Sequence, residues 1–162
     1  MLFSRSTSGT EVIERLIRSA AVSIVAALYR FANPRLATAL RDAAQRGVSI
    51  RICLNSNDHY EENQAAQATL AGYGIAYRLL HGKAGPGSKM HHKFVVLDTQ
   101  TVVTGSYNWT MESEERNYEN LIVLRAPELA IAYAREFEAL WNEGSPTESP
   151  AALSSSRMDY GI

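Results

Sequence analysis

His91-His92-Lys93-Phe94-Val95-Val96-Leu97-Asp98, then a short polar turn and Thr101-Val102-Val103-Thr104-Gly105-Ser106-Tyr107-Asn108, is the stretch that decides the fold. Residues 91–97 alternate as a strand does, so His91, Lys93, Val95 and Leu97 share one face and His92, Phe94 and Val96 the other. Asp98, Thr99 and Gln100 make a turn, and the β-branched run Thr101 to Thr104 reads as a returning strand. Gly105 lets the chain bend, which brings Ser106 and Asn108 back toward the His/Lys end. His91, Lys93, Ser106 and Asn108 therefore converge on one rim of a hairpin. A potential nucleophile, a positive charge and hydrogen-bond donors around one point are what phosphate-ester chemistry without a metal requires.

The rest of the chain alternates around this hairpin. Ser8 or Thr10 can cap a helix carrying Val12, Ile13, Leu16 and Ile17 at helical spacing. Val22 to Leu28 reads as a buried strand. Asn33-Pro34 caps a second helix that ends at Gly47, and Val48 to Leu54 is the next strand. An alanine-rich helix over Glu61 to Ala71, a strand over Ile75 to Leu80 and a strand over Asn120 to Arg125 follow. The last helix runs from Pro127 to Trp141, with Leu129, Tyr133, Phe137, Leu140 and Trp141 as its expected inward residues. This order implies an α/β fold, with a mixed, largely parallel sheet covered by helices on both faces. One domain over residues 1–144 is expected. Residues 145–162, rich in Ser, Pro, Thr and Ala, read as a flexible tail.

Written as H-x-K-x4-D-x6-G-S-x-N, the stretch resembles the HKD motif of the phospholipase D superfamily at every motif position. The resemblance extends from about Phe3 to Asn142. It is closest in look to small single-motif bacterial endonucleases. The contexts Met90-His91-His92-Lys93-Phe94 and Asn108-Trp109-Thr110 are also similar to mitochondrial members. The resemblance implies an α/β/α sandwich and a reaction through a phosphohistidine, without cofactor or metal. Superfamily members with two motifs build one site from both copies; this chain has one copy, which implies a two-fold homodimer. His91 would then be nucleophile in one subunit and general acid in the other, with Lys93, Ser106 and Asn108 holding phosphate oxygens. A glutamate after the motif orients the histidine in family members, and Glu119 matches that position. Asp98 and Gly105 are expected to be structural, Asp98 by capping turn amides.

Three functions are weighed: an endonuclease on DNA or RNA, a phospholipase D or cardiolipin hydrolase, and a non-catalytic nucleic-acid-binding module. A net charge of −1 argues against a protein that coats nucleic acid. The lysines are nonetheless concentrated: Lys83, Lys89 and Lys93 all lie near the motif, the first two in the loop Gly82 to Lys89. Either Lys83 and Lys89 solubilise that loop, or they guide a polyanion toward the phosphate site. Tyr107 and Trp109 could stack on bases or lipid glycerol, or belong to the core or the dimer interface. His92 is expected to pack or hydrogen-bond within the domain, while His59 and His81 lie in or beside loops without a ligand-like partner spacing. Cys53 reads as a buried strand thiol. No run of eighteen apolar residues suggests a membrane span, and Met1 to Thr10 lacks the apolar segment of a secretory signal. A bacterial cytoplasm is the expected compartment, with an exported form left open if a signal was removed.

Overall fold

The computed structural model describes residues 1–56 and 61–146. His59 and residues 147–162, most of the expected tail, lie outside the described residues. The chain opens with strand β1 (Leu2–Phe3) and helix α1 (Gly9–Ser19). Ser8 is the cap of α1, its side chain accepting from Glu11 N. Strands β2 (Ser23–Leu28) and β3 (Phe31–Ala32) lead to α2 (Pro34–Gln45), where Asn33 accepts from Arg35 N and Leu36 N and proline opens the first turn. Next come β4 (Ser49–Asn55), α3 (Glu61–Gly72), β5 (Ala76–Gly82), β6 (Gly85–Lys89), β7 (Lys93–Leu97) and β8 (Thr101–Gly105). The chain continues through β9 (Trp109–Thr110), α4 (Met111–Glu115), β10 (Asn120–Arg125), α5 (Pro127–Glu143) and β11 (Ser145–Pro146).

The main sheet runs β1-β10-β8-β7-β2-β4-β5-β11, with β6 hairpinned onto β5. It is mixed, as expected, but the expectation of a largely parallel sheet is corrected. Parallel pairing in this sheet is confined to β2–β4 and β4–β5 among the described residues, and the other pairs are antiparallel. The cause is local. The pairs β5–β6 and β7–β8 are hairpins, with connections too short for the helical crossover that a parallel pair needs. Residues 82–89, expected as a loop, form one of them: Gly85 turns with φ +75°, a conformation few other residues adopt.

Alternation divides the core cleanly. Ile24, Ala26 and Leu28 of β2, Ile50, Ile52 and Leu54 of β4, and Val95 and Leu97 of β7 pack under α1, α2 and α3. Ala27, Cys53, Phe94, Val96 and Val102 face Ala130 and Phe137 of α5 on the other side. Each fully buried aliphatic or aromatic side chain contributes roughly 1.5–3 kcal/mol. Leu129, expected inward, is exposed, and Ala130 takes its place against the sheet. Cys53 is buried as expected, and burial pushes its thiol up to about 12. Ser145–Pro146, placed by sequence in the tail, pair with β5.

Candidate active site

The rim lies at the carboxyl ends of the parallel strands, the usual location of ligand sites in α/β sheets. Lys93 opens β7 and sits opposite Leu28, the last residue of β2. The strand proper begins at Lys93 rather than His91, although Tyr29 N still donates to His92 O at 2.9 Å and extends the ladder. As the alternation required, Lys93 and His91 are on one side. His92 turns to the other, 3.6 Å from Glu136 of α5 and edge-on to Phe94.

His91 and Lys93 are in direct contact. The Lys93 ammonium lies 3.2 Å from His91 Nδ1 and 3.4 Å from Nε2, and donates to the His91 carbonyl at 2.8 Å. Burial, then the charges of Lys93 and Lys89 and the His92 ring, lower the His91 pKa. The imidazole is thereby biased toward its neutral, nucleophilic form. Burial also brings Lys93 down to about 8, with the Glu119 charge pulling the other way. Tyr29 packs beneath both side chains, its ring 4.3 Å from the His91 ring and 4.9 Å from Lys93 Nζ. Lys89 reaches the same ring at 5.8 Å, so it belongs to the rim, while Lys83 is exposed at the tip of the β5–β6 hairpin.

Ser106 and Glu119 form the opposite edge. Ser106 Oγ donates to Glu119 and accepts from Asn120 N at 3.1 Å, and Asn117 Nδ2 donates to Glu119 at 3.3 Å. Within this chain Glu119 makes these hydrogen bonds and none to His91. The topology accounts for this: Glu119 precedes β10, which pairs with β8, and His91 precedes β7, one strand further on. Gly105 sits at φ +150° with Asn120 O 2.2 Å from where a Cβ would stand, so any side chain there would push β8 and β10 apart. Asn108 keeps a buried Oδ1 without a hydrogen-bond partner. That is a cost of about 1–3 kcal/mol unless a ligand or partner satisfies it.

Two expected site residues are core instead. Tyr107 and Trp109 are each 2% exposed. Tyr107 OH donates to Glu114 at 2.7 Å and shares a 2.9 Å hydrogen bond with Thr10 Oγ1, while Trp109 packs edge-on against Phe31. A substrate-stacking role for this pair is corrected by their burial. Asp98 is structural as expected, but with other partners than its own turn. Its carboxylate accepts from the N–H groups of Ala21, Val22 and Ser23 at 3.0, 2.8 and 2.9 Å, and so fastens the β7–β8 turn to the start of β2.

Sequence reasoning missed Tyr29, Asn55 and Asn63. Asn55 Oδ1 accepts from Met90 N at 2.9 Å, directly before His91. Asn63 Nδ2 donates to Tyr29 O at 3.0 Å and Asn55 O at 3.1 Å, and its Oδ1 accepts from Phe31 N at 3.1 Å. This buried pair fixes the backbone on both sides of the His91–Tyr29 contact. A polar or aromatic residue closing an apolar strand, as in Leu54-Asn55 and Leu28-Tyr29, is the signal that could have found two of them. Among the described residues no group of three or more His, Cys, Asp or Glu side chains is placed to hold a metal ion.

Fold and rim together define the class, an α/β domain of the phospholipase D type with one HKD motif. The chain belongs to the family described as cardiolipin synthase, PLD-like domain, which matches residues 13–141. The human mitochondrial cardiolipin hydrolase is 33% identical over 143 residues, covering 86% of this chain and 55% of that protein. The Xenopus tropicalis mitochondrial cardiolipin hydrolase is 34% identical over 131 residues, covering 81% of this chain and 60% of that protein. The chain thus spans little more than half the length of these curated relatives. The crystal structure of a phospholipase D family member, Nuc from Salmonella typhimurium, matches with a TM-score of 0.83 at 30% identity, over 91% of this chain and 95% of that one.

Proposed function

We propose that this chain is a metal-independent phosphodiesterase that works through a phosphohistidine, with DNA or RNA as substrate. The observation that carries the reading is the neutral-biased His91 held against Lys93 on an open rim. In the first step an imidazole nitrogen of His91 attacks phosphorus and the P–O bond to the leaving group breaks. The leaving oxygen takes its proton from His91 of the partner subunit. In the second step water attacks phosphorus and the P–N bond breaks, the water's proton returns to the partner's His91, and free His91 is regenerated. Lys93 balances charge on the non-bridging oxygens, and Ser106 and Asn108 supply hydrogen bonds there. Glu119, through Ser106, acts as a positioning residue. The lysines on the β5–β6 hairpin favour a polyanionic substrate.

A second reading, a cardiolipin hydrolase, is favoured by one feature of the fold. An apolar groove of about 330 Å³ between α2 and α3 is lined by Phe31, Ala32, Pro34, Ala37 and Ala66 among others. No helix among the described residues is long and apolar enough to cross a membrane. The deciding experiment incubates labelled single- and double-stranded DNA and RNA, and in parallel cardiolipin vesicles, with the protein in excess EDTA. Cleavage of nucleic acid by the wild type and not by His91→Ala supports the first reading. Release of lipid products alone moves the assignment to the second, and activity that survives His91→Ala overturns both.

A further inference from the structure

Beside Glu119 lies a cleft of about 490 Å³ lined by Phe3, Ser4, Arg5, Ser6, Tyr118 and Glu119. Its composition is unusual for a surface. Tyr118 is 83% exposed and Phe3 is 55% exposed, although burial is the favourable state for both rings. Arg5 places its guanidinium 5.0 Å from the centroid of the Tyr118 ring, so one face of the ring carries a cation and the other is open to solvent.

The backbone beneath these side chains is fixed rather than loose. Ser4 N donates to Glu119 O at 2.9 Å, Glu119 N donates to Ser4 Oγ at 2.8 Å, and Ser4 Oγ donates to Asn117 O at 3.0 Å. The N-terminal segment is thus clasped to both neighbours of Tyr118. Glu119, which also lines the cleft, is the residue to which Ser106 donates at the rim. The cleft therefore continues the phosphate site. Its one carboxylate is already engaged by Ser106 and Asn117, which lessens its repulsion of an anion.

We infer that this cleft is a subsite for a nucleotide flanking the scissile phosphate, with the base stacked on Tyr118 or Phe3 and the adjoining phosphate on Arg5. Exposed rings beside a guanidinium are the means by which proteins hold single-stranded nucleic acid without reading its sequence, because every base has a π-face. The inference rests on the nucleic-acid reading above and adds the preferred form of that substrate: an unpaired strand, whose bases are free to leave the stack.

The test compares the full chain with Tyr118→Ala and Tyr118→Phe on an end-labelled single-stranded DNA oligonucleotide and on bis(p-nitrophenyl) phosphate, a diester without a base. Loss of one stacking contact is expected to raise KM for the oligonucleotide about tenfold, and Tyr118→Phe to restore it. The ratio of oligonucleotide to aryl-diester kcat/KM should fall with it in Tyr118→Ala. If wild type cleaves the oligonucleotide and this ratio is unchanged in Tyr118→Ala, the subsite is wrong and the nuclease reading stands. A parallel fall on both substrates, or a loss of the oligomeric mass of the wild type, makes Tyr118 structural and also overturns the subsite. If wild type hydrolyses the aryl diester, and the oligonucleotide is neither cut by it nor retained by His91→Ala in fluorescence anisotropy, the nucleic-acid reading itself fails and the subsite falls with it.

Discussion

Replacing Asp98 should cost stability and leave catalysis intact, although this residue supplies a letter of the motif. In the structure its carboxylate receives three backbone N–H groups at the start of β2 and makes no contact with His91 or Lys93. Burial raises its pKa, and the three donors from Ser23, Ala21 and Val22 more than offset that, leaving it below the ordinary carboxylate range. Its backbone also sits at φ +53°, where Asn and Asp are tolerated and a residue such as Ala is strained.

Asp98→Asn keeps one acceptor oxygen for Val22 and Ser23 but turns an NH₂ toward Ala21 N and removes the charge, at a cost of about 1–2 kcal/mol. Asp98→Ala loses every acceptor and adds left-handed strain, for about 3–4 kcal/mol in all. In a domain of this size those losses lower Tm by about 4 °C and about 10 °C. The pH dependence has a definite sign. Because the folded pKa is depressed, the carboxylate's contribution is full above its unfolded pKa and disappears as pH falls through the folded value. The gap between wild type and Asp98→Ala should therefore narrow in acid. Thermal unfolding across pH and kcat on bis(p-nitrophenyl) phosphate well below Tm are the two assays. A variant that keeps its Tm and loses turnover would refute the structural assignment.

Asn63→Ala removes three hydrogen bonds in a buried site and should cost about 3 kcal/mol, with kcat falling as the Tyr29 backbone loosens; an unchanged Tm would refute its placement. The kcat/KM profile should lose activity in acid only below pH 6.5, the ordinary histidine value, because His91 is held neutral. On the alkaline side activity should fall as His91 of the partner subunit and, near pH 8, Lys93 lose their protons, and Lys93→Arg should remove the second of these losses from whatever activity remains. Mixing wild type with a roughly ninefold excess of His91→Ala should lower activity per wild-type chain about tenfold once subunits exchange, whereas no inhibition would mean that each chain works alone.

The motif hairpin was legible because its side chains obey a period of two over a run long enough to exclude a helix. The same rule placed His92 on the α5 side, away from His91. What escaped the sequence was set by contacts between distant segments. Tyr107 and Trp109 flank a motif asparagine, and nothing local distinguishes a stacking aromatic from a buried one; the pairing of β3 with β9 is what encloses Trp109. Ala130 displaced Leu129 from the sheet side because the helix phase is set by where Phe137 inserts, and a single tight contact favours the smaller side chain. Glu119 was expected by resemblance to orient His91; its hydrogen bond to Ser106 within this chain depends on the pairing of β8 with β10, which no local pattern announces. Asn55 and Asn63 left almost no trace, since an asparagine in an alanine-rich helix reads as surface until the helix is docked.

The electrostatics of the rim bear on why one chain would hold half a reaction centre. Burial and an ammonium 3.2 Å away favour the unprotonated His91 imidazole, which is free to attack but carries no proton to give. Departure of an alkoxide nevertheless needs a proton close by. His92 does not give it, because it faces Glu136 on the other side of the sheet. In the proposed reaction this leaves His91 to the attack. In the proposed reaction a second copy of the rim, approached across a two-fold axis, would supply an imidazole whose proton is retained once a bound phosphodiester anion stands between the two. Substrate binding would then assign the roles to two identical residues, and the motif need occur only once in the sequence to act twice in the site.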